Sequence, residues 1–262
     1  MSIKKNTSKF DNNNYSFNLD SKLGIYLIHG FSSTTYEVKK LALHLANQGY
    51  HVKADNLPGH GTTIEDCNIT SYTDWLSFSE QNIASMYTYC DKVIVIGVSM
   101  GALIALHLGT MFPLDGIVAA SALLKFRKEF DVRILTRLFH RFKKSIPKQK
   151  AFHPNQLKVI QNDGFYGYAY YPLSALNEMR KMIDKLKPKL SKIKSPILLI
   201  NSKVDQTALF KNHEIIKNLL TTQKLATIIL NKTGHNIFDT NSSEKSSIFS
   251  SVDTFVIDNF NV

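Results

Sequence analysis

Gly97-Val98-Ser99-Met100-Gly101 stands between two apolar segments of different character. Ahead of it, Lys92 to Gly97 is rich in β-branched residues and reads as a buried strand. Behind it, Met100 to Met111 reads as an apolar helix. A serine at a sharp turn from strand to helix must hold a strained backbone conformation. The residues two before and two after it must be small, because strand and helix cross closely there. Gly97 and Gly101 meet that demand, and Ala102 extends it. The Ser99 hydroxyl then stands exposed at the top of a sheet. The helix start beneath it offers unpaired N–H groups and the favourable dipole end for a developing anion. A tight Gly-Ser-Gly turn without chemistry is the alternative, and the two flanking elements argue against it.

The rest of the chain alternates in the same way. Strands are expected at Leu23 to His29, His51 to Asp55, Gly116 to Ala120, Pro196 to Asn201 and Leu225 to Leu230, with a short edge strand around Tyr15 to Leu19. Helices are expected at Tyr36 to Asn47, closed by Gly49, from Ser71 to about Tyr89 with Asp74 at capping-box spacing, and at Leu209 to Leu220 and Asn241 to Phe260. Such alternation predicts an α/β fold with a mostly parallel, twisted sheet covered by helices on both faces. Residues 1–21 are polar and are expected to be loosely ordered up to the edge strand. From about Ala122 to Lys194 the alternation stops. The chain therefore divides into a first core part (1–121), a helical cap or lid (122–194) and a second core part (195–262).

A serine nucleophile needs a general base, and the base needs an orienting acid. In folds with this strand–serine–helix turn the chain order is serine, acid, histidine. His235, in Thr233-Gly234-His235-Asn236 after the last strand, is the candidate base. Asp205, in Lys203-Val204-Asp205-Gln206 after the preceding strand, is the candidate acid. Both follow the C-terminal ends of strands, where such sheets place their sites. Asp239, four residues after His235, is the second choice of acid; Asp163 and Asp184 lack the strand-end position. The N–H groups of Met100 and of Phe31, in His29-Gly30-Phe31, are the candidate oxyanion donors. His29 and the Pro58-Gly59-His60-Gly61 turn are read as shaping loops. His44, His51, His107, His140, His153 and His213 are read as surface or packing residues.

Composition excludes several classes. Apolar residues make up 44% and charged residues 20%, which suits a globular protein with a real core. The longest apolar runs are too short to span a membrane. Met1 to Asn14 lacks an apolar signal segment, so a cytoplasmic protein is expected, with Cys67 and Cys90 reduced and Asn68-Ile69-Thr70 unglycosylated. The cysteines do not form a metal site. The net charge of +11 is uneven: Lys125 to Lys150 holds ten Lys or Arg against Glu129 and Asp131. There, Phe126, Phe130, Ile134, Leu138 and Phe142 recur every four residues, widened by Leu135 and Phe139. Arg127, Arg137, Arg141, Lys143 and Lys144 occupy the remaining positions, which describes a cationic amphipathic helix. Its apolar face either covers the cleft over Ser99 or touches an anionic lipid surface. No nucleic-acid recognition motif accompanies the charge.

Together these residues resemble the bacterial monoacylglycerol lipases and related small thermostable carboxylesterases of the α/β-hydrolase superfamily. The resemblance rests on His29-Gly30-Phe31, Pro58 to Thr62, Asp74-Trp75, Gly97 to Gly101, Leu114 to Val118, Asp205 and Gly234-His235. It implies an eight-stranded core with a small cap, no cofactor, and hydrolysis of esters with medium or long acyl chains. It further implies the roles given above to Ser99, Asp205, His235, Phe31 and Met100. The chain departs from the family where Gln206-Thr207-Ala208 replaces a Val-Val-Pro-like turn after the acid, and the cap matches weakly. An acyltransferase or thioesterase using the same triad is the nearest rival. A non-catalytic binder on a hydrolase scaffold is the more distant one, disfavoured by the complete set of residues.

Overall fold

Each apolar run in the alternating pattern becomes a strand of one sheet. The computed structural model describes residues 10–140, 142–148 and 166–260, apart from the side chains of residues 129–131 and 135. Within these, β1 (Tyr15–Phe17), β2 (Leu23–Ile28), β3 (His51–Ala54), β4 (Lys92–Val98), β5 (Gly116–Ala120), β8 (Ile197–Ser202) and β9 (Leu225–Leu230) form a sheet of order β1-β3-β2-β4-β5-β8-β9. All neighbours are parallel except β1, which runs antiparallel to β3 at one edge. Two further short strands, β6 (Ser145–Pro147) and β7 (Tyr170–Pro172), pair antiparallel as a separate ribbon.

The helices are α1 (Tyr36–Asn47), α2 (Ile64–Ile69), α3 (Tyr72–Met86), α4 (Met100–Leu108), α5 (Glu129–Phe139), α6 (Leu173–Leu186), α7 (Lys211–Leu219) and α8 (Lys245–Phe260), with a 3-10 turn at Lys187–Lys192. Successive strand side chains point to opposite faces, which divides the core in two. Ile25, Leu27, Ile94 and Ile96 pack under α1 and α8 with Leu41, Leu45, Val252 and Val256. Tyr26, Ile28, Val93 and Val95 face α3, α4 and α6 with Trp75, Ile83, Leu103 and Ile183. Every residue of α4 is buried, as its unbroken apolar sequence requires.

The local signals act as read. Ser71 and Asp74 exchange hydrogen bonds as a capping box at the start of α3. Gly49 takes φ +90° just past α1. A second capping box, Thr63 with Asp66, starts α2, which the apolar periodicity did not announce because the helix is only six residues long.

Three expectations are corrected. The sheet has seven strands among the described residues, not the eight implied by the resemblance. The described residues ahead of β1 are also not loose. Asp11 N–H donates to Thr34 Oγ1, and the Asp11 and Asn13 carbonyls accept from Asn56 Nδ2. These residues therefore bond to the loops after β2 and β3 and extend no edge of the sheet; residues 1–9 lie outside the described part.

The third correction concerns the cationic helix. Phe126 is buried, but Ile134, Leu138, Phe139 and Phe142 are 36%, 58%, 48% and 87% exposed. Thr136 is buried and Val132 packs against the core, so the 132/136 face turns inward. The Ile134/Leu138 stripe therefore does not cover a cleft. Arg133 ties α5 to Asp184 of α6 through two hydrogen bonds of 3.1 and 2.9 Å. The side chains of Phe130 and Leu135, and Arg141, His153 and Asp163 entirely, lie outside the described residues.

Candidate active site

Ser99 sits between β4 and α4 at φ +56°, ψ −115°. A non-glycine residue there is strained, and the surrounding packing has to enforce it. The two glycines explain how. A Cβ on Gly97 would lie 2.1 Å from the Gly101 carbonyl oxygen, and one on Gly101 would lie 2.1 Å from the Ile28 carbonyl oxygen. Backbone thus meets backbone on both sides of the turn. Ser99 N–H donates to the Ala120 carbonyl at 2.8 Å, which ties the turn to the end of β5.

Asp205 follows β8 and His235 follows β9, so both arrive at the same end of the sheet as Ser99. His235 Nδ1 lies 2.8 Å from Asp205 Oδ2. Since the carboxylate only accepts, that nitrogen carries the proton and Nε2 is left as the basic one. The Asp205 carboxylate is buried, and burial alone would raise its pKa. His235 and the N–H groups of Thr207 and Ala208 outweigh burial and hold it below the ordinary value. Burial would likewise lower the imidazole pKa, but Asp205, aided by Glu37, holds it above the ordinary value.

The departure after the acid has a definite shape. Asp205 Oδ1 accepts from Thr207 N at 2.7 Å and Ala208 N at 2.9 Å. A proline in place of Ala208 would have no N–H to give. Asp239, the second choice of acid, pairs with Lys40 and accepts from Tyr166 Oη at 2.8 Å.

Ser121 was not singled out in the sequence. It follows β5 at φ +47°, and its hydroxyl lies 3.0 Å from Asp205 Oδ2 and 3.2 Å from the His235 carbonyl. The strand-end rule that found Asp205 and His235 applies equally to Ser121. A lone serine after Ala-Ala carries no further signal.

The loop after β2 lies against the nucleophile. A Cβ on Gly30 would meet Ser99 Cβ at 3.2 Å and Glu37 Oε2 at 3.0 Å. His29 lies 2.8 Å through Nδ1 from the Gly30 carbonyl, while its Nε2 accepts from Leu57 N–H at 3.0 Å. These bonds select one neutral tautomer, and burial pushes the imidazole pKa down to about 4. The Gly30 carbonyl belongs to the peptide that carries the Phe31 N–H, so His29 fixes that plane. His29 therefore shapes the loop, as expected. His60, buried beside it, has its pKa pushed down to about 3 by burial first and by His29 second. The Phe31 ring lies between Tyr171 of β7, at 6.5 Å and nearly parallel, and the edges of Trp75 and His60. Met100, the other expected donor, is buried at the first position of α4.

The remaining described histidines have structural partners. His44 meets Asp253 at 2.9 Å, His107 meets Glu80 at 3.0 Å, and His213 meets Asn201 at 3.1 Å. His51 lies 3.7 Å from the sulfur of Cys90, and His140 lies 3.4 Å from Ser174 Oγ. Among the described residues no group of three or more His, Cys, Asp or Glu side chains has metal-binding geometry.

Known proteins share this architecture. A thermostable monoacylglycerol lipase of Bacillus sp. (strain H-257) is 28% identical over 204 residues, 77% of this chain and 78% of the relative. A carboxylesterase of Bacillus subtilis (strain 168) is 23% identical over 218 residues, 81% and 84% of the two chains. The crystal structure of a monoacylglycerol lipase from Paleococcus ferrophilus superposes with a TM-score of 0.78 at 18% identity, covering 95% of this chain and 99% of that one. That likeness shows the α/β-hydrolase fold. The chain belongs to the Hydrolase_4 family, described as serine aminopeptidase, S33, which it matches over residues 20–241.

Proposed function

We propose that this Hydrolase_4 chain is a serine hydrolase of carboxylic esters, with Ser99 as nucleophile, His235 as general base and Asp205 as the acid that orients it. The observation that carries the reading is the Nδ1–Asp205 bond of 2.8 Å, which leaves His235 Nε2 basic at the sheet end where Ser99 stands in its strained turn. Ser99 Oγ attacks the ester carbonyl as His235 takes its proton. The Phe31 and Met100 N–H groups stabilise the oxyanion. His235 then protonates the leaving alcohol, and a water activated by the same imidazole releases the acid from the acyl-enzyme.

Monoacylglycerols, or other esters with medium or long acyl chains, are the substrate class. The two Bacillus relatives, one named a monoacylglycerol lipase and the other a carboxylesterase, support an ester substrate. Residues 122–194 act as the cap over the acyl site, consistent with Tyr171 of β7 stacking on Phe31. The exposed Ile134, Leu138 and Phe142, set among Lys and Arg, suit peripheral contact with anionic lipid. Among the described residues no helix is long and apolar enough to cross a membrane. The free, buried thiols of Cys67 and Cys90 suit the reducing cytoplasm.

The test is turnover of a series of monoacylglycerols and aryl esters together with fluorophosphonate labelling. The expected result is hydrolysis by the wild-type chain, a single label on Ser99, and neither in Ser99→Ala. Hydrolysis retained by Ser99→Ala would sink the nucleophile assignment. Preferential transfer of the acyl group to an added alcohol or thiol would turn the reading to the acyltransferase or thioesterase.

A further inference from the structure

The loop from Gly30 to Thr34 is held at several backbone atoms by groups from different parts of the chain. On the core side, Gly30 N–H donates to Glu37 Oε2 of α1 at 2.7 Å, and His29 holds the Gly30 carbonyl. On the other side, the Ser32 carbonyl is held from the 122–194 segment. Tyr168 N–H donates to the Ser32 carbonyl at 3.0 Å, and Lys148 Nζ donates to the same oxygen at 3.3 Å. Gly167 allows the approach: a Cβ there would lie 2.3 Å from the Ser32 oxygen. Ser32 itself is fully buried at φ +53°, a conformation its neighbours must impose.

Lys148 is an unusual residue to find there. It follows β6, it is 8% exposed, and its ammonium lies 5.3 Å over the Tyr171 ring. Burying a lysine is costly unless the ammonium is held by acceptors and opposite charge. Among the described residues, Glu37 of α1, Cys67 of α2, and His60 and His235 beside the Ser99 turn face it electrostatically. A cation is thus placed by the insertion against the loop that carries the Phe31 N–H.

We propose that Lys148 is a positioning residue, which fixes the oxyanion loop through the Ser32 carbonyl and so makes the geometry of the Phe31 N–H depend on a side chain supplied from outside the sheet. The inference rests on the ester-hydrolase reading above and adds a coupling to it. Glu37 and His29 hold the loop from the core regardless of the insertion. Lys148 supplies a charge-assisted bond from outside the core, the stronger kind of hydrogen bond. Without that bond the loop loses one of its two donors to the Ser32 carbonyl.

The pH dependence has a definite sign. Burial pulls the Lys148 pKa down to about 8, against the opposing pull of Glu37 and Cys67. Its charge is complete below that value and is lost as pH rises through it. The neutral amine still donates, but without the charge.

The experiment compares wild type with Lys148→Met, which keeps an unbranched apolar stem, and Lys148→Arg, which cannot lose its charge. It measures kcat and KM on a soluble aryl ester, the affinity of a trifluoromethyl ketone that forms a tetrahedral adduct, and the affinity of an unreactive ether analogue. For Lys148→Met the expected result is kcat lower by about 10- to 100-fold with KM within threefold, the size of one lost charge-assisted hydrogen bond. Ketone affinity should fall by a similar factor and ether affinity should hold. Wild type should lose several-fold in kcat above about pH 8, the scale set by the weaker neutral bond. Lys148→Arg should carry that activity to higher pH, a readout that stays available if the methionine variant does not fold.

Ketone and kcat values within twofold of wild type in Lys148→Met would overturn the inference. Equal losses for ketone and ether would do the same, by showing a role in substrate binding, and so would matching alkaline limbs in wild type and Lys148→Arg. If the wild-type chain neither hydrolyses esters nor takes the fluorophosphonate label, the functional reading fails and this coupling fails with it. If it does both while Lys148→Met is unchanged, this inference alone fails.

Discussion

The sheet end around Ser99 and the 122–194 segment meet at one loop, yet they are built on different terms. At the sheet end, position is dictated by backbone. Gly97 and Gly101 are required by carbonyl oxygens 2.1 Å from where a Cβ would be, and Asp205 and His235 arrive because their strands end there. In the 122–194 segment, apart from Gly167 and Tyr168 against the Ser32 carbonyl, the described contacts include long-range side-chain bonds. Arg133 reaches Asp184, Asn68 Nδ2 reaches the Lys144 carbonyl, and Lys148 reaches Ser32. A backbone constraint leaves a mark in local sequence, such as a glycine or a strand end. A side-chain bridge between residues 51 to 116 positions apart leaves none.

The largest effects are expected from breaking the sheet end. Ser99→Ala should lower kcat on aryl esters by about 10⁴-fold or more, the scale set by nucleophile removal in other serine hydrolases, with the thermal midpoint unchanged. A residual rate above one-hundredth of wild type would place the chemistry elsewhere. Asp205→Asn keeps the shape of the side chain but can no longer stabilise the imidazolium, and should cost about 10³- to 10⁴-fold in kcat.

Next comes Ser121. Ser121→Ala removes one hydroxyl from the Asp205 carboxylate and should cost about tenfold in kcat/KM, the weight of one hydrogen bond to a charged group. Full activity would mean that Thr207, Ala208 and His235 suffice to hold the acid.

The pH profile sharpens the same region. Catalysis needs His235 neutral, so kcat/KM should fall as pH drops through its pKa. Asp205 holds that pKa above the ordinary histidine value even though burial opposes it. The acid limb should therefore lie at higher pH than an exposed histidine would give, and it reports the His235–Asp205 pair jointly. In Asp205→Asn the limb should move to lower pH; an unmoved limb would show that another group sets it.

The smallest effect belongs to the insertion's outer surface. Leu138→Asp with Phe142→Asp should leave kcat/KM on a soluble ester within twofold. Sedimentation with anionic phosphatidylglycerol vesicles should fall several-fold, as expected from lost apolar insertion and added repulsion. Equal binding to neutral and anionic vesicles by the wild-type chain would remove the lipid surface from consideration.

The contrast also explains what could be read from residues alone. The helix Tyr36–Asn47 and the strands Gly116–Ala120 and Leu225–Leu230 are found at the expected bounds, because caps and apolar periods mark their ends. Asp205 and His235 are brought together because chain order and strand ends follow the sheet topology. Ser121 carries no glycine or motif, and Glu37 looks like an ordinary first-turn acid of α1, though it is buried and holds Gly30 N–H. The four-residue recurrence from Phe126 to Phe142 was misleading for a geometric reason. The helix α5 covers only Glu129–Phe139, so Phe126 and Phe142 lie outside it and share no helical face with Ile134 and Leu138. Phe126 points into the core while Leu138 and Phe142 do not. The separate ribbon of β6 and β7 is too short and too polar to give a period.

The 122–194 segment leaves the sheet after β5 and returns at β8, and these strands are direct neighbours, with Ala120 opposite Ile200. The strands are parallel, so departure at the C-terminal end of β5 and return at the N-terminal end of β8 lie at opposite ends of the sheet, and the segment crosses its length with Met182, Ile183 and Leu186 of α6 packed on the core. A relative's segment grafted between them would have to repack that helix. A graft that folded would still be slow unless it brought its own donor to the Ser32 carbonyl. Chimaeras across this junction would separate inheritance of a scaffold from inheritance of a rate.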